Sequence, residues 1–176
     1  AAVVRKSAGG EKVRIGISGA DAGRAYELAR AACQDGAAAV ISIGVSGGLD
    51  PALKPGDLVI GNEVIADDSG ADQYLLGIIN SAHSRAGGNP ENAGKMDPGF
   101  RRDERGKVVG SLFGSDSIIQ SVEHKSALFY NHNAIAVDME SHGGARAAAE
   151  FSAPFIAIRA IADPATRALP HAAMNA

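Results

Sequence analysis

Two short apolar runs, Ala134–Val137 and Pro154–Arg159, each lead into acidic residues: Asp138-Met139-Glu140 after the first and Asp163 after the second. Runs of this length and composition suit strands buried on both faces of an α/β sheet. Carboxylates at the carboxyl ends of such strands stand at the rim where small-molecule sites form. Each acid also has a local reading, because Asp and Glu near the amino end of a following helix cap it or complement its dipole. The pattern alone names no substrate.

The rest of the chain supplies the other elements of such a sheet. Val13–Ile17 reads as a strand, followed by Gly19, Gly23 and the helical spacing of Ala25, Leu28, Ala29 and Ala32 within the run Ala22–Asp35. A second strand, Ala37–Ile43, runs into Gly44-Val45-Ser46-Gly47-Gly48. Strand–helix–strand order with glycine at the second strand's end is how a parallel sheet presents backbone at a ligand crevice. Pro51 and Lys54-Pro55-Gly56-Asp57 read as turns before Leu58–Ile60, and Glu63–Ile65 extends or reverses that strand. Val108–Phe113, Ala134–Val137 and Pro154–Ile158 complete the strands, and Glu140–Phe151 reads as an alanine-rich helix. Residues 80–107, rich in Gly, Asn, Asp and Arg, read as a loop or insertion, with Arg101, Arg102 and Arg105 on a solvated surface beside Asp103 and Glu104. The tail Ala162–Ala176 carries two prolines and no evident element, so the chain is expected to stop short of a closing helix.

Composition narrows the functional classes. A chain of 176 residues suits one core, so residues 1–176 are expected to form a single domain. An aromatic content of 5% without Trp argues against base-stacking platforms, and a net charge of -3 supplies no basic field for a phosphate backbone. Nucleic acid is therefore not an expected partner. The lone Cys33 cannot form an internal disulfide, which favours a cytoplasmic location, and no apolar run reaches the length of a membrane span. Histidines at 83, 124, 132, 142 and 171 form neither HExxH nor a Cys/His cluster, so no metal is expected.

Gly44–Gly48 lacks the Lys and Ser/Thr of a Walker loop and does not match GxGxxG. Its backbone amides at Gly44, Ser46, Gly47 and Gly48 can cradle an oxygen, or its glycines can simply let neighbouring elements approach; the two uses are compatible.

Four segments carry a resemblance. Ser46-Gly47-Gly48-Leu49-Asp50, followed by Leu53-Lys54-Pro55-Gly56-Asp57-Leu58-Val59, resembles the loop and turn of the nucleoside phosphorylase and nucleosidase superfamily. Ala136-Val137-Asp138-Met139-Glu140-Ser141 resembles its ribose-binding segment, and Arg159-Ala160-Ile161-Ala162-Asp163 the strand that carries its catalytic acid. Order and separation match as well. Within the superfamily the chain looks like the hopanoid-associated phosphorylase branch, through Ser42-Ile43-Gly44, Asp138-Met139-Glu140-Ser141-His142, and Asp163-Pro164-Ala165 with Leu169-Pro170.

The resemblance implies a three-layer α/β/α domain with a mixed central sheet, like that of purine nucleoside phosphorylase. It implies cleavage of the N-glycosidic bond of an adenosine-like nucleoside, in that branch an adenosyl-hopane lipid precursor, with release of adenine. Glu140 would then take the ribose hydroxyls and Met139 the sugar face, roles suited to a carboxylate and an adaptable thioether. Asp163 would protonate or hydrogen-bond purine N7 as negative charge moves onto the leaving base. Gly114-Ser115-Asp116-Ser117-Ile118 would line the base pocket, although Ser115 and Asp116 equally read as caps before Ile118–Ile119.

The departures concern the second substrate. Phosphorylases of the superfamily hold phosphate with arginines and a Ser, but the matching positions are Ser42 and Val45, and Arg24 is the only nearby basic candidate for a phosphate contact. Inorganic phosphate as co-substrate is thus less supported than glycosidic cleavage in general, and no other cofactor is implied. Hydrolytic relatives orient water with a glutamate near the first strand. Glu11 does not stand in that context, so the chain is expected either to begin inside the fold and lack this acid or not to be a fully competent enzyme. Relatives commonly form homodimers. The alternative reading is a catalytically silent nucleoside- or lipid-binding protein on the same scaffold.

Overall fold

The buried strands that end in acids lie side by side with the glycine-ended strand in one sheet. The structure is a computed structural model and describes residues 3–6, 12–66, 73–75, 101–102 and 108–169. In chain order it contains β1 (Val3–Lys6), β2 (Lys12–Ile15), α1 (Ala22–Gln34), β3 (Val40–Gly48), β4 (Leu58–Ala66), β5 (Gln73–Leu75), β6 (Arg101–Arg102), β7 (Val108–Gly114), α2 (Val122–His132), β8 (Ala134–Asp138), α3 (Ser141–Glu150) and β9 (Phe155–Asp163).

The central sheet is mixed, in the order β5-β4-β9-β3-β8-β7-β6. β3 runs parallel to β9, and β7 runs parallel to both β4 and β8, while β3–β8 and β4–β9 are antiparallel. Because β4 pairs with β7 as well as β9, the strands β4, β9, β3, β8 and β7 close a ring. Successive residues of one strand point to opposite faces, and the core divides accordingly. Val64, Leu112 and Ala136 join Ala145 and Ala148 of α3 in one apolar cluster, whereas Ile65, Phe113 and Val137 join Leu128 of α2 in another. The α2 and α3 helices therefore cover opposite faces, with α1 packed on α3. This is the expected three-layer α/β/α arrangement.

The sequence reading needs four corrections. The strand expected at Val13–Ile17 is β2, which among the described residues pairs with β1 in a two-stranded sheet separate from the central one. Val13 and Ile15, which flank Arg14, are about half exposed, so this strand lacks the buried apolar character of the central strands. The second strand begins at Val40 because Ala37 closes the end of α1, its N–H donating to Ala32 O at 3.0 Å after Gly36 at φ +81°. The glycine segment is then the end of β3 and not a loop. No helix follows Ser115 and Asp116 directly: Ser115 forms a tight turn with Ser117, and α2 starts later, its first turn capped by Ser121, whose Oγ accepts from His124 N at 3.1 Å. That helix was not expected at all. By contrast, β4 is continuous through 63–65, and the alanine-rich helix is α3. The expected loop at 80–107 lies outside the described residues except for the short β6, as does the tail beyond residue 169.

Close packing of α1 on α3 depends on Gly143. A Cβ there would lie 2.1 Å from the carbonyl oxygen of Ala22, so only glycine admits this approach. The start of α1, and the backbone just before it, are thereby held against the start of α3.

Candidate functional site

The turn from β8 into α3 is built on Asp138. Its Oδ1 accepts from the backbone N–H groups of Glu140 at 3.1 Å and Ser141 at 2.9 Å, and its Oδ2 accepts from Ser141 Oγ and Arg159 Nε. The capping reading of Asp138 is thus realised. All five N–H groups of Arg159 are used, since NH1 donates to Ser42 O and Ile158 O, and NH2 to Ser42 Oγ and Ser141 Oγ. This guanidinium has no donor left for a ligand.

Glu140 is freed from capping by that arrangement. Its side chain makes no cap hydrogen bond; Oε1 instead accepts from the Ala20 N–H at 2.9 Å, across 120 residues of chain. Ala20 (φ 57°) and Gly19 (φ 69°) both adopt left-handed backbone, which turns the segment before α1 toward Glu140. The second carboxylate oxygen has no donor among the described residues.

Asp163 owes its direction to an irregularity. β9 pairs with β3 in regular register up to Ser46↔Ile161, then shifts so that Gly47 opposes Asp163. A bulge of this kind turns the following side chain to the other face. The carboxylate lies against Gly47, where a Cβ would sit 3.4 Å from Oδ2 and 3.3 Å from Val137 Cγ1, on the α2 side of the sheet. There it meets Lys125, whose Nζ donates to Asp163 Oδ2, to Pro164 O at 3.1 Å and to Arg167 O at 2.9 Å. No helix follows Asp163 among the described residues, and its side chain caps none there.

These groups converge on a cleft of about 210 Å³. Of the residues singled out from sequence, Ser46, Gly47, Ser117, Ile118, Met139, Glu140 and Asp163 line it. Gly44 does not: it packs against the Arg159 guanidinium. Gly48 lies against the backbone of Asp163 and Ala165. Ser115 is buried beneath the turn it makes with Ser117, and Asp116 is exposed, contacting His142 Nε2 at 3.0 Å. Arg24 is exposed on α1, contributing its backbone N–H to the Asp21 cap, and is not a lining residue. Glu11 lies outside the described residues.

Carboxylates line one side of the cleft and apolar side chains the other; two of the carboxylates, Asp138 and Asp163, are paired with Arg159 and Lys125. Asp138, Glu140 and Asp163 line it, with Val45, Ile118, Ile119 and Leu169 among the apolar lining. No cationic side chain lines it among the described residues. The Ser46 hydroxyl is buried there without a hydrogen-bond partner among the described residues. No group of three or more His, Cys, Asp or Glu side chains suited to a metal occurs among them either. No described helix is long and apolar enough to cross a membrane.

Sequence reasoning missed Lys125 and the role of Arg159. Both lie on apolar faces, Lys125 three residues before the buried Leu128 and Arg159 between the buried Ala157 and Ile161. A cation spaced with core residues is the signal that would have found them, because such a residue must have a buried anion to meet.

The chain is similar to several known proteins. A 5'-methylthioadenosine/S-adenosylhomocysteine nucleosidase of Staphylococcus haemolyticus is 30% identical over 127 residues, which are 70% of this chain and 56% of that protein. The chain thus spans about half the length of the curated relatives it matches. The nucleosidase of the same kind from Colwellia psychrerythraea, solved with adenine, superimposes with a TM-score of 0.66 at 23% identity, covering 97% of this chain and 76% of its own. Futalosine hydrolase of Helicobacter pylori gives a TM-score of 0.64 at 19% identity, covering 92% and 77%. The likeness supported is to the methylthioadenosine/adenosylhomocysteine nucleosidases, which overturns the expected hopanoid-associated branch. The profile of the Phosphorylase superfamily matches residues 7–175, and the chain belongs to that superfamily.

Proposed function

We propose that this chain carries the site of a nucleosidase that cleaves the N-glycosidic bond of an adenosine-type nucleoside of the methylthioadenosine or adenosylhomocysteine kind, releasing adenine. The observation that carries the reading is the convergence of Glu140 and Asp163 on one cleft that has three carboxylates and no cation among its described lining residues. As the C1′–N9 bond breaks, positive charge develops on the ribosyl ring and the electron pair moves to the purine. The Glu140 carboxylate, which meets no cation among the described residues, favours the first change, and a proton or hydrogen bond at N7 favours the second. With Oε1 held by Ala20, Glu140 has its other oxygen for the ribose hydroxyls, while Met139 packs on the sugar. Ser117 and Ile118 stand where the base would lie, apolar packing serving in place of an aromatic. Asp163 serves N7.

Water as the acceptor of the ribosyl group follows from the same electrostatics. Phosphate would enter beside the uncompensated Glu140 carboxylate with no cation to meet it among the described lining residues, Arg159 being fully committed and Arg24 outside the cleft. The test is ultraviolet detection of adenine released from methylthioadenosine, adenosylhomocysteine and a 5′-alkyl adenosine, with and without phosphate. Phosphate-independent release is expected; release only with phosphate overturns hydrolysis. Adenine binding without release by folded protein favours the silent binding scaffold instead.

Self-association belongs to the same proposal, as does a cytoplasmic location resting on the unpaired Cys33. Ile41, Ile43 and Val45 are 60%, 76% and 66% exposed along one side of β3, and Val45 also lines the cleft. A second copy on this strip would cover the apolar surface and complete the cleft wall. Sedimentation velocity is expected to give a dimer, and a monomer at all concentrations overturns that element.

A further inference from the structure

We propose that Lys125 is a positioning residue for the acid, acting through Asp163 on departure of the base. This rests on the reading of Asp163 as the group that serves purine N7. Lys125 is fully buried, and its three donors meet three acceptors: Asp163 Oδ2, Pro164 O and Arg167 O. It has no donor left for substrate and does not line the cleft. Burying an ammonium is costly, and an apolar side chain of similar volume often serves stability as well or better, so core packing alone does not account for a lysine here. What the lysine uniquely does is hold three points of one wall. It anchors Oδ2 of the carboxylate that the bulge turned toward α2, leaving Oδ1 without a donor among the described residues. It also ties down the turn at 164–167, after which the Leu169 N–H donates to Gln120 O at 3.0 Å and the Leu169 side chain lines the cleft.

The chemical consequence is confined to the leaving group. Asp163 Oδ1 takes a proton from solvent and passes it to N7; the C1′–N9 electron pair moves to the purine, neutral adenine departs, and the carboxylate is restored. The ammonium on Oδ2 holds the carboxylate before and after that transfer, and its contribution is to keep Oδ1 aimed at the base. A leaving group that needs no proton gains nothing from this arrangement.

The experiment compares methylthioadenosine with p-nitrophenyl β-D-riboside, whose phenolate leaves unaided, using wild type, Lys125→Met, Lys125→Gln and Asp163→Asn. Circular dichroism and adenine binding check that each variant is folded. The expected result for Lys125→Met is a fall in kcat on methylthioadenosine of roughly 100-fold, the low end of general-acid assistance, with little change in KM. The riboside rate should fall far less, and Asp163→Asn should give the same selectivity between substrates. Lys125→Gln, which keeps a donor but no charge, is expected to lie between; it carries the test if Lys125→Met does not fold. Equal losses on both substrates, or no loss on either, overturn the role of Lys125 alone. Wild-type protein that cleaves neither substrate overturns the proposed function, and this role with it.

Discussion

Asp138 and Asp163 both end apolar strands of the central sheet, and both meet a buried cation. Asp138 uses its whole capacity: four donors converge on its two oxygens, and its side chain is 1% exposed. Asp163 meets one donor, on one oxygen, and its side chain is 13% exposed. The first carboxylate is a joint that holds β8, α3, β9 and β3 together. The second has an oxygen to offer the cleft. Identical residue types at equivalent strand ends therefore diverge in role through the number of donors the fold brings to each.

The largest effect should come from breaking the closed joint. Asp138→Ala leaves Arg159 as an uncompensated buried charge and is expected to cost about 3–5 kcal/mol, measured by urea unfolding. Arg159→Met should cost a similar amount, and the double variant should recover part of the loss. If each single variant costs less than about 1 kcal/mol, as exposed pairs do, the joint is not structural. Asp163→Asn keeps an oxygen for the Lys125 ammonium but removes its counter-charge; it is expected to cost less stability than Asp138→Ala and to reduce adenine release by roughly 100-fold or more. A loss of stability as large as that of Asp138→Ala would erase the distinction between the two acids.

Gly143→Ala probes the same contrast from the helix layer. Its methyl would force α1 away from α3, costing about 1–3 kcal/mol by overpacking. It should also withdraw the Ala20 N–H from Glu140, raising KM for nucleosides more than it lowers kcat. An unchanged KM would separate that hydrogen bond from ribose binding. The smallest effect is expected at Cys33, where burial pushes the thiol above its usual range. Less thiolate forms at a given pH, so labelling by Ellman's reagent near pH 8 should be slow in folded protein and fast in urea. Fast labelling of the folded protein would place Cys33 in an open part of α1.

The legible parts of the molecule share one property: their signal is local. β7, β8 and β9 announced themselves as apolar runs, β4 as an apolar run after a proline-glycine turn, and α3 as an alanine-rich stretch after a strand. Glu140 and Asp163 stand out because acids at strand ends contrast with apolar neighbours, whereas the place of Met139 rests on the family resemblance alone. The α2 helix escaped because its buried face carries Lys125 along with Leu128, so the apolar stripe is interrupted where the site needs a cation. Its ends did carry signals, Ser121 as a cap and Asn133 in left-handed backbone at φ 53°. β2 was misplaced for the opposite reason, since a local strand pattern says nothing about which partner it pairs with.

The sequence by itself determined which segments are buried strands, that carboxylates terminate two of them, and that glycine ends a third. Alternation, apolar runs and turn chemistry act within a few residues, so they can be read along the chain. Only the tertiary structure decided which groups those carboxylates meet: Arg159 for Asp138 across 21 residues, Lys125 for Asp163 across 38, and Ala20 for Glu140 across 120. Each pairing depends on strand order, on the register shift beside Gly47 and on the helix approach at Gly143. Those are properties of how distant segments pack, and a single displaced residue in β9 is enough to turn an acid from one face of the sheet to the other.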